Sequence, residues 1–144
     1  MKKIAVFFSV LVSSFLYASD SVNTTWRGNL AIKGYDAVAY FLENAAVKGD
    51  KAHQTEWEGA NWRFSSAENL ALFEADPASY APQYGGYCAW AVANGKTANI
   101  DPEQFAVVNG KLYLNYNKKI QKAWLADQAA LIQSADRIWP TLID

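Results

Sequence analysis

The chain has 144 residues, 13 Lys and Arg against 14 Asp and Glu, and a single cysteine. That is one domain's length with no basic block, which argues against nucleic acid and anionic membrane surfaces as partners. One cysteine cannot close an internal disulfide, so stability must come from packing, for which six Trp, eight Tyr and seven Phe are at hand.

Lys2 and Lys3 precede an apolar run from Ile4 to Leu16, and Leu16-Tyr17-Ala18 ends on a small residue. Residues 1–18 read as a signal peptide, which places the mature protein in the periplasm or outside the cell. The run falls short of the roughly 20 residues a spanning helix needs. No cysteine stands directly after the cleavage site to carry a lipid, the only one being Cys88 far downstream, so no membrane anchor is expected after cleavage. Met1 is the only methionine, which excludes methionine-based copper handling. Residues 19–25 read as a mature N-terminal extension, 26–140 as the folded domain and 141–144 as a C-terminal tail.

Within the domain, Val38–Phe41 is β-prone and follows Gly34-Tyr35-Asp36, which predicts a first strand. Thr55–Trp57 and Asn61–Phe64 flank Glu58-Gly59-Ala60 and predict a hairpin. Ser65 with Glu68 forms a capping box for a short helix over Ala67–Ala75, stopped by Asp76-Pro77. Gly85 and Gly86 then open a helix through Ala93, closed by Asn94-Gly95. Asn109-Gly110 between Phe105–Val108 and Lys111–Asn115 predicts a second hairpin with a type I′ turn. Asn117 caps an amphipathic helix to about Ala135, with Ile120, Trp124, Leu131 and Ala135 facing a core and Trp139-Pro140 ending it. No internal repeat is visible. The fold class is α+β: two β-hairpins, a short central helix, a Gly-Gly-initiated helix and a C-terminal amphipathic helix, with most indoles in the core.

Cys88 follows Gly85-Gly86-Tyr87 at a predicted helix start, where free N–H groups and the macrodipole favour a thiolate. The alternative is a small buried hydrophobe. His53, the only histidine, reads as a loop residue; paired with Cys88 it would make an ion-pair nucleophile or a two-coordinate copper(I) site. A closed zinc site needs about four ligands and would have to recruit carboxylates. Asp36, Glu56, Glu58 and Asp101 read as turn and hairpin residues rather than a glycosidase dyad. No phosphate loop, dinucleotide fingerprint or nucleophile elbow is present, and no catalytic residue is assigned.

The segments Gly34–Phe41, Trp62–Asn69, Phe73–Pro77 and Tyr80–Ala89 occur in an order that resembles the YHS domain family, in particular an exported single-domain, selenoprotein-like branch. The resemblance implies the fold and a link to metal. Founding members are thought to bind metal through cysteines whose positions fall here on Ala39, Ser65 and Asn69, none of which supplies a thiolate. The resulting expectation is an exported binding domain that engages a soft metal ion, copper foremost, or a small thiol-reactive ligand. Cys88 and His53 are the candidate metal ligands, and Tyr84, Tyr87, Gly85, Gly86 and Asp36 line the ligand site. Alternatives are a thiol-dependent redox enzyme, which lacks a resolving cysteine, and a non-catalytic protein-interaction domain. The expected geometry puts Cys88 at the inner end of a pocket bordered by Tyr84, Tyr87 and Tyr35–Phe41, with Asp36 nearest. Burial against Leu70, Phe73 and Trp90 is the alternative.

Overall fold

The structure is a computed structural model that describes residue 5 and residues 19–143. The predicted leader, residue 5 apart, therefore lies outside the described residues. The elements are α1 (Ala37–Leu42), β1 (Asp50–Trp57), β2 (Ala60–Phe64), α2 (Ala67–Ala75), α3 (Pro77–Tyr80), α4 (Ala89–Ala93), β3 (Asp101–Val108), β4 (Lys111–Asn115), α5 (Lys118–Ala126) and α6 (Gln128–Leu142). Short 3-10 turns at Ile32–Gly34 and Gln83–Gly86 precede α1 and α4. The fold is α+β, as expected, with two separate antiparallel hairpins. None of the described helices is long and apolar enough to cross a membrane.

Local capping explains the main departures from the sequence reading. Val38–Phe41 is helix, not strand, because the Asp36 carboxylate accepts the N–H groups of Val38 and Ala39 and so caps α1; the cap outweighs β-propensity. The cap of α2 is Ser66, whose hydroxyl accepts from Asn69 N, since Ser65 is turned toward Asp36 instead. Gly85 and Gly86 do not open α4. They close a left-handed 3-10 turn, and Cys88 is the N-cap residue. The C-terminal helix is two helices, broken at Asp127, and the second runs through Pro140 to Leu142.

The larger correction is that the chain does repeat. In each hairpin the first residue of the long strand pairs with the last of the short one, Asp50 with Phe64 and Asp101 with Asn115. A bulge follows, and regular pairing then runs to a two-residue turn. Each strand boundary of the second hairpin lies 51 residues after its counterpart, as do the caps of the next helices, Ser66 and Asn117, and the breaks after them, Asp76 and Asp127. Upstream, Ile32-Lys33-Gly34 and Tyr84-Gly85-Gly86 all have positive φ. Gly34-Tyr35-Asp36-Ala37-Val38-Ala39 then matches Gly86-Tyr87-Cys88-Ala89-Trp90-Ala91, 52 residues on. Matching backbone bonds return to the cap residue, Asp36 N to Val47 O at 2.8 Å and Cys88 N to Ala98 O at 2.9 Å. The molecule is thus two consecutive turn–helix–hairpin–helix units, and Asp36 and Cys88 are counterparts.

Packing joins the units. Trp62, Phe64 and Phe73 form the aromatic centre of the first core, with ring centroids of Phe73 5.0 and 4.9 Å from the other two. Leu112, Leu114 and Cys88 from the second unit close it. A second cluster gathers Tyr84, Val92, Tyr113, Trp124 and Ala135. Trp62 and Trp124 are buried, as expected of the indoles, whereas Trp26 is 92% exposed. The segment from Ser19 is woven in: Ser19 bridges Ile143, and Val22 lies in the core.

Candidate functional site

The two cap positions carry the polar chemistry of the interior. Asp36 is fully buried and accepts from Val38 N (2.9 Å), Ala39 N (3.1 Å), Ser65 N (2.9 Å), Ser65 Oγ (2.8 Å) and Asn69 Nδ2 (2.8 Å). One carboxylate therefore ties the start of α1, the end of β2 and the first turns of α2 together. Its acceptor sites are taken by the protein, so it is a fastening of the fold rather than an open ligand.

Ser65 and Asn69 are two of the positions where the family resemblance puts metal-binding cysteines. Here both side chains donate to Asp36, and Ala39, the third, has no donor atom. A metal does not fit that set: a knot of hydrogen bonds stands in its place. Among the described residues no group of three or more His, Cys, Asp or Glu could hold a metal ion.

Cys88 occupies the same place in the second unit with a thiol. Its sulfur donates to Asn115 Oδ1 at 3.5 Å, and that oxygen also accepts Trp90 N at 3.0 Å. Asn115 is itself held by Gln121 Oε1 at 2.7 Å, and Gln121 Nε2 donates to Phe105 O at 2.8 Å. Burial pushes the thiol up, opposed by the backbone N–H groups of Ala91, Tyr116 and Trp90 and by the charge of Lys96; burial prevails. Those three residues are the counterparts of Ala39, Ser65 and Val38, whose N–H groups hold Asp36. The cradle that fixes a carboxylate in the first unit thus surrounds a neutral, polarisable sulfur in the second.

Cys88 also lines a cavity of about 170 Å³ together with Trp90, Ala91, Lys96, Ala98, Tyr116 and Ile120. Its walls differ from those expected. Tyr84 is buried against α6, where its hydroxyl donates to Asp136 Oδ1 at 2.7 Å; burial first, then this bond, raises its pKa. Tyr87 packs on Trp139, with centroids 5.8 Å apart. Asp36 sits in the other cradle. His53 lies on β1 of the other hairpin and does not line this cavity. Gly85 does permit a close approach: a Cβ there would collide with the carbonyl of Ser21. Gly86 supplies the second positive φ of the turn. Gly85 serves the passage of the N-terminal segment and Gly86 the turn itself, not the thiol.

Sequence reasoning missed Asn115, Gln121, Lys96 and Tyr116. The one available signal was a polar Asn ending the apolar run Leu112-Tyr113-Leu114, a position that must find partners if buried.

A search of curated proteins and a search of solved structures returned no match. The family model of the YHS domain matches residues 38–84, from the first residues of α1 to the turn that begins the second unit. Over that stretch the chain is similar to the YHS domain.

Proposed function

We propose that the protein is an exported, non-catalytic binding domain that takes a soft, sulfur-seeking ligand at Cys88. The observation that carries this reading is the cavity reaching a thiol whose surrounding N–H groups match, residue for residue, those that hold a carboxylate in the first unit. Binding of a soft cation such as copper(I) forms a sulfur–metal bond and releases the thiol proton to solvent. The cradle N–H groups and Lys96 then offset the charge left on sulfur. Asn115 Oδ1 is a hard donor, so the Cys88 sulfur is the one soft ligand among the residues described around this cavity, and a low coordination number follows. The leader pattern supports export, and Ser19, the residue after the predicted cleavage site, is fixed by its N–H to Leu142 O at 2.9 Å. The single cysteine and its raised thiol weigh against the redox-enzyme reading.

Titration of reduced protein with copper(I) against a competing chelator tests the proposal. Wild type should take about one equivalent, Cys88→Ser none, and His53→Ala as much as wild type. Equal uptake by wild type and Cys88→Ser overturns it.

One observation favours the protein-interaction reading as a second role. Trp26 stands 92% exposed on a turn closed by Thr25 N to Leu30 O at 3.0 Å, and exposed indoles are frequent anchors of interfaces.

A further inference from the structure

We propose a second, independent binding site for a small organic cation bearing a quaternary or N-methylated ammonium group. It lies in a cavity of about 230 Å³ lined by Trp57, Trp62, Trp139, Glu58, Pro82 and Val22 among others. Trp57 and Trp62 meet at 5.7 Å with their planes inclined at 62°, so they form two angled walls rather than a stack. The single polar atom of the Trp62 ring is spent on Trp57 O at 3.0 Å, and the ring, 2% exposed, forms a buried apolar part of the cavity wall. Trp139 brings a third indole from the far end of the chain.

The charge around this cavity has one sign. Glu58 lines both it and an adjoining cavity that contains Asp20, and no Lys, Arg or His lines either one. Three indoles with a carboxylate at the rim are the elements that attract a poorly hydrated cation through ring quadrupoles and charge. The volume lies below the ~300–1,000 Å³ of drug-sized sites, which restricts the ligand to a headgroup such as trimethylammonium. Glu58 also holds a left-handed backbone, φ 50°, at a turn position where Asn, Asp or Gly is favoured; the second hairpin has Asn109 there. The acidic side chain is placed at this rim against local preference.

A trimethylammonium group can arrive on free choline or on a phosphocholine lipid, and the test separates the two. Indole N–H resonances and calorimetry would follow titration of the full chain with choline, its uncharged isostere 3,3-dimethylbutan-1-ol, glycine betaine and phosphatidylcholine vesicles. Choline should saturate and shift indole signals of the cavity, with the isostere at least about tenfold weaker and betaine weakened by its carboxylate. Glu58→Gln, an exposed and fold-neutral change, should weaken choline about fivefold. Vesicle binding in place of free choline assigns the lipid source. The proposal is overturned if neither choline nor vesicles bind, or if choline and the isostere bind equally, or if Glu58→Gln leaves choline affinity unchanged. Cys88→Ser should leave choline binding intact, so this site can fail or stand apart from the thiol site.

Discussion

The two units place the same cradle of backbone N–H groups at the start of a short helix and fill it differently. In the first, Asp36 consumes the donors of Val38, Ala39 and Ser65 and adds Ser65 Oγ and Asn69 Nδ2. In the second, Cys88 takes the place of the carboxylate, and Asn115 rather than Cys88 accepts Trp90 N. The difference teaches that one backbone geometry can serve as a fastener or as a site, depending on whether its central group is saturated. The acceptor sites of the first carboxylate are filled by the protein, whereas the second cradle opens onto about 170 Å³ of space.

The strongest way to break the comparison is to empty the first cradle. Asp36→Ala removes a helix cap and leaves several buried donors unsatisfied, so it should lower stability by at least ~3 kcal/mol. Cys88→Ala removes a small apolar-like group that carries no full charge and should lower it by about 1 kcal/mol. Urea melts of both variants check the contrast; equal losses would place the two residues in one structural role.

The turn before each cradle gives the next largest effect. Lys33 and Gly85 are counterparts with φ of 51° and 62°. A side chain is tolerated on Lys33, but a Cβ on Gly85 would strike the Ser21 carbonyl. Gly85→Ala should therefore lose ~2 kcal/mol or more, while Lys33→Gly stays within about 0.5 kcal/mol. Thermal melts of the two variants, run side by side, measure the asymmetry.

A smaller effect depends on pH. Burial raises the Cys88 thiol above its ordinary value of 9.0, so with rising pH the unfolded chain ionises first and holds fewer protons than the native one. Stability from this group is then full below about pH 8.5 and is lost as pH rises through the folded value. Between pH 8 and 10 the stability gap between wild type and Cys88→Ala should narrow. The buried tyrosines titrate in both proteins and cancel. A gap that widens with pH would mean that the cradle favours the thiolate over burial.

Much of this architecture was legible because it rests on local chemistry. Asn109-Gly110 demands a hairpin, Asp76-Pro77 stops a helix, and Asn117 starts one. The first strand was misread because Val38-Ala39-Tyr40-Phe41 favours strand by composition, and a single carboxylate at Asp36 decided otherwise. The repeat hid because identity is sparse, confined outside the turn and cradle to positions such as Asp50 and Asp101, Gly59 and Gly110, and Asp76 and Asp127. The hairpins share register and turn geometry while their side chains differ, as Gln54-Thr55-Glu56-Trp57 and Phe105-Ala106-Val107-Val108 show. The thiol site was half legible. Cys88 could be singled out, but its partners Asn115, Lys96 and Tyr116 come from distant segments, and the tyrosines beside it in sequence, Tyr84 and Tyr87, turn toward α6.

The central claim is that solvent-sized ligands reach the Cys88 sulfur in the folded protein, and the rate of its modification by a small neutral alkylating reagent tests this most directly. Labelling should proceed in the native state, much faster than global unfolding, little changed by low urea, and half-maximal in rate above pH 9.0, where burial holds the thiol. Labelling no faster than global unfolding, and rising with urea as unfolding does, would contradict the account and reduce Cys88 to a core residue.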